Sequence, residues 1–324
     1  MAFKLLILSD GDTAESRQAE RDWPARLEIE LPEIEVYAAT SPAAAETVIG
    51  EVDAAYGYLP PELFAKAGKL RWLASPQAGP NPRFYHQALV ESEVVVTNVR
   101  GIYNDHIGAQ IMAYLLSFAR GLHLYHDRQR RRAWETGAPT VYLPEARAVI
   151  IGVGGIGGEA ARLAAAFGIH VVGVDPRVEA APDGVAELVH PEALDAVLPD
   201  ADFVILTAPQ TPTTEGFFDA VKFRLMKPSA YFINIGRGAT VKLDDLDAAL
   251  RGGEIAGAAL DVFEVEPLPE AHPLWDAPGM IVTPHVAADG PYLDERRWQV
   301  FLENCRRFDA GRPLSNVVDK ANWF

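Results

Sequence analysis

The sequence predicts an α/β protein with two doubly wound parallel sheets. Short apolar strands alternate with helical segments through the first 100 residues, which is the pattern of a parallel sheet with crossover helices. A second such pattern begins with residues 147–175, RAVIIGVGGIGGEAARLAAAFGIHVVGVD, and continues through strand-like runs at 202–206, 231–235, 256–262 and 280–282. A chain of 324 residues is long enough for two domains of ordinary size.

The first 100 residues consist of alternating predicted strands and helices. The strands are predicted at residues 3–8, 35–38, 54–59, 70–74 and 94–98, and the helices at 15–27, 42–48, 61–67 and 84–89. Pro42 stands near the start of its helix, where the missing N–H of a proline costs nothing. This part of the chain carries no glycine fingerprint, so we expect it to bind something other than a nucleotide.

One predicted helix precedes the strands of the second sheet in the sequence, and another follows them. Between residues 101 and 120, apolar side chains recur at helical spacing, which predicts a long helix that serves as hinge and dimer surface: Ile107, Ile111, Tyr114, Leu115 and Phe118. It leads through the basic run 128–132 to Trp134 and a loop at 135–144. A last amphipathic helix begins at Pro291 and runs to Gly311, and we expect it to fold back on the first domain.

The glycines of residues 152–157 indicate what the second sheet binds. Gly152 lets the chain turn sharply from strand to helix, and Gly154 lacks the Cβ that would keep a pyrophosphate from the backbone. Gly157 lets the helix pack closely on the strand, and the helix N-terminus offers unpaired N–H groups and a positive dipole end. Asp175 lies 18 residues after Gly157, where a carboxylate can accept hydrogen bonds from ribose hydroxyls. The stretch therefore predicts a dinucleotide-binding βαβ unit.

Asp175 also bears on the choice of coenzyme. A carboxylate at this position repels a 2′-phosphate, which favours NAD over NADP. Arg177 follows two residues later and could weaken that preference, although a solvated surface arginine is the more ordinary interpretation of this residue. NAD is therefore the expected coenzyme, and NADP stays possible.

Composition excludes several other classes of function. The net charge of −16 argues against a nucleic-acid partner, and the basic run at 128–132 is better explained as a solvated helix face or subunit arm. No apolar run approaches the roughly 20 residues that cross a bilayer. The first 30 residues carry several charges, which does not suit a signal peptide, and the single cysteine, Cys305, excludes an intrachain disulfide or a cysteine metal cluster. We expect a cytoplasmic protein without a metal site.

Polar residues at the strand ends of the second sheet supply the parts of a hydride-transfer site. Reduction of a ketone needs a proton donor and a cation that holds the substrate carboxylate. His285 follows a strand and a turn proline, and Arg237 lies between two glycines after a buried strand. A guanidinium can hold a carboxylate through two hydrogen bonds. A carboxylate beside His285 would stabilise its protonated form, and Glu266 and Glu264 are equal candidates for that place.

These motifs, in this order, resemble the D-isomer-specific 2-hydroxyacid dehydrogenases. The matching sequence motifs are, in order, GVGGIG with Asp175, IGRG with Arg237, AGAALDVFEVEPLP with Asp261 and Glu266, and HPLW and TPH with His285. The resemblance covers nearly the whole chain. It implies a Rossmann-like dinucleotide-binding domain at 101–289 and a smaller flavodoxin-like α/β substrate domain at 1–100 and 290–324, with a cleft between them.

The resemblance also implies individual roles. Arg237 would bind the substrate carboxylate and carbonyl, His285 would be the acid/base, and Glu266 would orient and charge His285. Asp261 would hold the nicotinamide carboxamide, and backbone N–H groups near Ala78 and Gly79 would hold the substrate carboxylate. The residues predicted to bind the coenzyme lie in the glycine turn or at the strand ends: Gly152, Gly154, Gly155, Ile156, Gly157, Asp175, Thr207, Ala208, Pro209, Ile235, Arg237, Asp261 and His285.

Some positions depart from the family pattern. Gly155 stands where relatives often carry arginine or asparagine, which removes one side-chain contact to phosphate. The hinge helix reads GAQ at 108–110 in place of Ala-Glu-His, and Pro80-Asn81 replaces an aliphatic residue and an aspartate. Glutamate at position 266, rather than glutamine, argues against a formate dehydrogenase-like reaction.

The sequence thus predicts an NAD-dependent enzyme that reduces a small 2-keto acid to the D-2-hydroxy acid. It would be a glyoxylate or hydroxypyruvate reductase, or a broader 2-ketoacid reductase. Two alternatives are an NADPH-preferring reductase of this kind and a NAD-sensing protein similar to the C-terminal binding protein corepressors. The resemblance implies a homodimer through the helix and arm at 101–140, and Trp134 looks like a residue that some relatives lend to the neighbouring subunit's pocket.

Overall fold

The computed structural model describes residues 3–9, 14–79 and 83–321. The chain divides into two compact units, Met1–Ile102 with Pro291–Phe324 and Tyr103–Gly290. Each unit contains one parallel sheet, of five strands in the first unit and seven in the second. The predicted α/β class with two doubly wound sheets is confirmed.

Strands and helices alternate along the first unit. Its strands lie in the order β2-β1-β3-β4-β5: β1 (Lys4–Leu8), β2 (Glu35–Ala39), β3 (Ala54–Tyr56), β4 (Trp72–Ala74) and β5 (Val95–Thr97). The helices between them are α1 (Ala14–Glu30), α2 (Pro42–Ala45), α3 (Pro61–Phe64) and α4 (Gln87–Val90). After Lys4, β1 is apolar and buried because both faces of the sheet are covered, as the sequence predicts.

The second unit begins with two helices and then winds in both directions from its first strand. The helices are α5 (Asn104–Ala119), α6 (Leu122–Arg130), α7 (Gly155–Ala166), α8 (Leu194–Val197), α9 (Ala220–Leu225) and α10 (Leu243–Gly252). The strands are β6 (Arg147–Ile151), β7 (His170–Val174), β8 (Glu187–Val189), β9 (Phe203–Leu206), β10 (Tyr231–Asn234), β11 (Gly257–Leu260) and β12 (Met280–Val282). Their order is β12-β11-β10-β9-β6-β7-β8. Because β6 pairs with both β7 and β9, the winding reverses there, and the carboxyl ends of β6 and β9 form the switch point at which such sheets bind ligands.

Both faces of the second sheet are packed. Along β6, Val149 and Ile151 belong to an apolar cluster on one face, whereas Ala148 and Ile150 belong to a cluster on the other. The second of these clusters includes residues of α5 and α7, such as Ile111. Burial on both sides explains why these strands are apolar runs rather than alternating ones.

The last helix, α11 (Leu293–Asp309), belongs to the first unit. Its Trp298 lies with ring centroids 5.5 Å from Trp23 of α1, and Phe301 stacks on Trp23 at 5.0 Å. Phe301 also meets Tyr56 at 5.2 Å. The prediction that this helix folds back on the first domain is confirmed. None of the described helices is long and apolar enough to cross a membrane.

Several predicted boundaries were wrong for identifiable reasons. The strand predicted at 54–59 ends at Tyr56, because Gly57 adopts a φ of +116° and a Cβ there would lie 2.1 Å from the carbonyl oxygen of Leu8. The helix predicted from residue 84 begins only at Gln87, where His86 caps it by accepting the N–H of Leu89.

Other elements of the second unit were not predicted. After α5, Gly121 adopts a left-handed conformation with φ of +64°, and the basic run partly belongs to a separate helix, α6. The edge strand β8 and helices α8 to α10 were also missed, although in α10 the buried residues Leu243, Leu246, Ala249 and Leu250 recur at helical spacing. β8 is three residues long and none of its side chains is fully buried, so it lacks the apolar run that marks the inner strands.

Candidate active site

The glycine turn after β6 has the geometry that its sequence predicts. Gly152 has a φ of +90°, and a Cβ on it would lie 2.9 Å from the backbone of Ala208. A Cβ on Gly157 would lie 1.9 Å from the carbonyl oxygen of Gly152, so only glycine allows α7 to approach β6 this closely. Gly154, the N-cap of α7, has open space where its Cβ would point. The turn fits a dinucleotide, because it leaves a pyrophosphate free access to the helix N-terminus.

Thr207, Ala208 and Pro209 follow β9, next to this turn. The Thr207 hydroxyl donates to the carbonyl oxygen of Ile151 at 3.1 Å and also to that of Gly152. These bonds tie the ends of β6 and β9 together at the switch point. Ala208 is buried and Pro209 is exposed, so the side chain of Pro209 has more free surface for contact with a coenzyme than that of Ala208.

The two predicted isoleucine contacts lie mainly in the core. Ile156, in the first turn of α7, is half-buried against the apolar cluster that also includes Val153. Ile235 follows β10, is buried, and donates its N–H to the carbonyl oxygen of Leu206 at 3.2 Å. Their packing fixes the backbone on either side of the switch point, whereas contact with a coenzyme stays a prediction.

Asp175 lies directly after β7, and the backbone already engages its carboxylate. One oxygen accepts the N–H of Val153 at 3.1 Å, and the other accepts those of Arg177 and Val178 at 2.9 and 3.3 Å. The residue is only 6% exposed. Because Val153 belongs to the glycine turn, Asp175 holds that turn in place and brings a negative charge to it. Its contact with ribose hydroxyls stays a prediction.

The loop that carries Arg237 is shaped by Asn234, the last residue of β10. Asn234 is fully buried; its Oδ1 accepts the N–H of Gly236 at 3.0 Å, and its Nδ2 donates to the carbonyl oxygen of Arg237 at 3.2 Å. The Thr240 hydroxyl donates to the same carbonyl at 2.6 Å. The sequence interpretation missed Asn234, although a polar residue that closes the apolar run YFIN is a visible signal.

The Arg237 loop touches the loop that carries Glu266. A Cβ on Gly238 would lie 1.9 Å from the carbonyl carbon of Phe263, so glycine is required at this contact. Phe263 donates its N–H to Oε1 of Glu266 at 2.9 Å. Burial lowers the pKa of the Arg237 guanidinium, and its attraction to the nearby Glu266 carboxylate opposes that shift.

Glu266 and His285 lie within hydrogen-bond distance of each other at the end of the sheet. Oε2 of Glu266 lies 2.7 Å from Nδ1 of His285, and the two side chains are 36% and 49% exposed. His285 has a φ of +56°, an uncommon conformation for a residue with a side chain, which turns the chain sharply after β12. With Nδ1 facing Glu266, Nε2 is the nitrogen that can meet a substrate. Glu264, the equal candidate in the sequence, is exposed and makes no such contact with His285.

Asp261 fastens the turn that carries His285. It is 1% exposed, and its oxygens accept the N–H groups of Val286 and Ala287 at 3.0 and 2.9 Å. One of them also accepts the hydroxyl of Thr283 at 2.5 Å. A buried carboxylate with these three donors is well satisfied. Asp261 therefore positions the His285 turn, and its predicted contact with the nicotinamide carboxamide stays a prediction.

Tyr114 extends this network from α5. Its hydroxyl lies 2.5 Å from Oγ1 of Thr283, whose own hydrogen goes to Asp261, so Tyr114 is the donor. Burial raises the pKa of Tyr114, which keeps the phenol protonated and able to donate. The sequence interpretation placed Tyr114 only on the apolar helix face, because helical spacing does not show which residue also carries a polar partner.

Ala78 and Gly79 lie in the first unit, in the loop after β4. The side chain of Asn98 donates to the carbonyl oxygen of Ala78 at 2.7 Å, which anchors the loop to the end of β5. Pro80 and Asn81 lie outside the described residues. The role of this loop in binding a carboxylate stays a prediction.

Comparison with known proteins identifies the family. A sequence profile described as the NAD binding domain of D-isomer specific 2-hydroxyacid dehydrogenase matches residues 112–287, more than half of the chain. The chain belongs to the D-isomer-specific 2-hydroxyacid dehydrogenase family. It is therefore placed among the NAD(P)-dependent oxidoreductases that act on 2-hydroxy acids.

Individual members of the family are similar over much or all of the chain. The glyoxylate/hydroxypyruvate reductase A of Yersinia enterocolitica is 34% identical over 209 residues, which cover 64% of this chain and 66% of that protein. A D-isomer specific 2-hydroxyacid dehydrogenase from Xanthobacter autotrophicus Py2, solved with NADPH and MES, is 30% identical with a TM-score of 0.87, and 100% of each chain is covered. The NADPH-dependent glyoxylate/hydroxypyruvate reductase of Sinorhizobium meliloti, solved with NADP and sulfate, is 28% identical with a TM-score of 0.79 and the same coverage.

The contact at Gly238 leads to a testable prediction about the site. Gly238→Ala should lower the free energy of unfolding by about 1–3 kcal/mol and reduce turnover, because its Cβ forces the Arg237 and Glu266 loops apart. Gly68→Ala is the matched control, since a Cβ there meets no atom within 4 Å. Urea denaturation and steady-state kinetics measure both effects. Equal behaviour of the two variants would contradict the proposed contact.

Proposed function

We propose that the protein reduces a small 2-keto acid to the D-2-hydroxy acid, with Arg237, Glu266 and His285 as its catalytic residues. The observation that carries the proposal is the Glu266–His285 pair, 2.7 Å apart, on the same sheet edge as the half-buried Arg237. The family membership supports the reaction class, and the glycine turn supports coenzyme binding at the switch point of that sheet. When bound, a nicotinamide coenzyme supplies the hydride.

Arg237 binds the substrate carboxylate. Its guanidinium loses hydration through burial, so an anionic partner stabilises it strongly, and bidentate hydrogen bonds fix the orientation of the carboxylate. The bonds from Asn234 and Thr240 hold the backbone carbonyl of Arg237, and the guanidinium itself donates to the carbonyl oxygen of Gly236 at 2.7 Å. An arginine held in this way also withdraws electron density from the adjacent carbonyl, which favours attack at its carbon.

His285 donates the proton to the carbonyl oxygen as the new C–H bond forms. Glu266 accepts the hydrogen of Nδ1, which leaves the Nε2 hydrogen for the substrate and stabilises the imidazolium before transfer. The proton leaves Nε2 for the oxygen, and the imidazole becomes neutral. In the oxidation direction His285 accepts the same proton from the hydroxyl group.

Glyoxylate and hydroxypyruvate are the substrates to expect first. The relatives from Yersinia enterocolitica and Sinorhizobium meliloti carry these substrates in their names, and the site residues act only on the 2-keto acid group. A broader 2-ketoacid reductase is the alternative, because the catalytic loops contact the 2-keto acid group and do not select the substrate side chain.

NADH is the coenzyme that we propose, and NADPH is the alternative. Asp175 places a negative charge at the end of β7, which disfavours a 2′-phosphate. Two observations favour the alternative. Arg177 follows within two residues, and the structures from Xanthobacter autotrophicus and Sinorhizobium meliloti hold NADPH or NADP.

A substrate panel tests the proposed function and its alternatives. Oxidation of NADH and of NADPH should be followed at 340 nm with glyoxylate, hydroxypyruvate and pyruvate, and the product should be resolved by chiral chromatography where it has a stereocentre. We expect turnover with at least glyoxylate or hydroxypyruvate and a higher kcat/KM with NADH. A strong preference for NADPH would contradict the role given to Asp175, and tight NADH binding without any turnover would favour a NAD-sensing protein.

The Glu266–His285 pair yields a second prediction. His285→Ala should lower kcat by about 10²- to 10⁴-fold, because the proton donor is lost. Glu266→Gln should lower kcat less, since the imidazole loses the charge that stabilises its protonated form but keeps a hydrogen-bond partner. Glu264→Gln is the matched control on the same loop and should retain wild-type turnover. Full activity in His285→Ala would contradict the assignment.

We also propose a cytoplasmic homodimer that pairs through residues 101–140. This segment exposes large apolar side chains, with Trp134 fully exposed and Leu122 54% exposed, as subunit interfaces do before assembly. Sedimentation equilibrium should give about twice the chain mass of 35.3 kDa. Trp134→Ser together with Leu122→Ser should shift the mass toward the monomer, and a wild-type monomer would contradict the proposal.

A further inference from the structure

Gly155, the first residue of α7, has another side chain lying against it. A Cβ on Gly155 would lie 2.7 Å from Nδ2, 3.1 Å from Oδ1 and 3.2 Å from Cγ of Asn104. All three nearest atoms belong to one carboxamide group, so the amide of Asn104 covers the position from which a side chain at 155 would start. Asn104 is the first residue of α5, so the contact joins the N-termini of two helices of the second unit.

The neighbouring positions show that this amide stands beside the place for a pyrophosphate. Gly154 caps α7 and faces open space, whereas Gly152 and Gly157 pack closely against the backbone of Ala208 and of Gly152 and so shape the turn. The first N–H groups of α7 attract an anion there. The amide of Asn104 makes no hydrogen bond with any residue in the described part of the chain, and the side chain is only half-buried. It therefore has two N–H donors at the edge of an anion site.

We infer that Asn104 donates a hydrogen bond to the coenzyme pyrophosphate and takes the place of a side chain at position 155. The inference rests on coenzyme binding at the glycine turn, and it names one more residue of that site. The fingerprint of this chain has no side chain at 155, and the contact supplies a polar group from α5 instead. Because the pyrophosphate is common to NAD and NADP, Asn104 contributes equally to both coenzymes and has no part in choosing between them.

Binding measurements on two variants test the inference without relying on turnover. Isothermal titration of the full-length protein with NADH, and separately with ADP-ribose, gives Kd for ligands that share the pyrophosphate. Asn104→Ala should weaken both by about 5- to 20-fold, the loss of one partly exposed hydrogen bond to a charged group. Asn104→Asp should weaken both further, because it sets a negative charge against the phosphates.

The choice of variants separates binding from folding. A carboxylate in the first turn of a helix is favourable, so Asn104→Asp should keep the melting temperature of the wild type while it loses affinity. Gln87→Ala, which removes an exposed amide on α4 of the first unit, should leave both Kd values unchanged.

A double variant tests whether side chains at positions 104 and 155 contribute to the same binding site. Gly155→Asn combined with Asn104→Ala moves the amide from α5 back to α7 and should recover most of the lost affinity, since the atoms that a Cβ at 155 would meet are gone. Wild-type affinity in Asn104→Ala, or a loss that Gly155→Asn does not reverse, would overturn the inference. Absence of NADH binding in the wild type would instead overturn coenzyme binding itself, so the two failures are distinguishable.

Discussion

The candidate active site depends on a backbone contact that only glycine allows. Gly238 meets the carbonyl carbon of Phe263 so closely that a Cβ would overlap it, and this contact holds the loops after β10 and β11 together. Phe263 then donates to Glu266, and Glu266 meets His285 from the loop after β12. Three successive strand ends are thus connected through one chain of contacts, so the position of the imidazole follows from the position of a glycine.

Buried polar side chains hold the backbone of each loop in place. Asn234 holds the backbone on both sides of Gly236, and Asp261 accepts two N–H groups and a hydroxyl from the turn around His285. Each of these residues closes an apolar strand, where the last ladder position leaves backbone groups that need partners. A satisfied buried network is rigid, and rigidity at these loops is what a site for proton and hydride transfer requires.

The fold and the main site residues could be predicted from the sequence because their sequence signals are local. The glycines of residues 152–157 and the apolar strands could be interpreted from spacing alone, and Arg237 and His285 stand directly after strands. The rest depends on contacts between distant segments. Glu266 and Glu264 are equivalent until the loop is folded, Tyr114 shows its polar partner only when α5 packs, and Asn104 meets Gly155 across 51 positions of sequence. Propensity and periodicity cannot supply such pairs.

A crystal structure of the protein with NADH and oxamate, an unreactive 2-keto acid analogue, tests the central claim most directly. The account predicts that Nε2 of His285 lies within about 3 Å of the keto oxygen, while the Arg237 guanidinium contacts the oxamate carboxylate. The Glu266–His285 contact of 2.7 Å should persist in that complex. An oxamate bound with its keto oxygen away from His285, or a His285 that has left Glu266, would contradict the account.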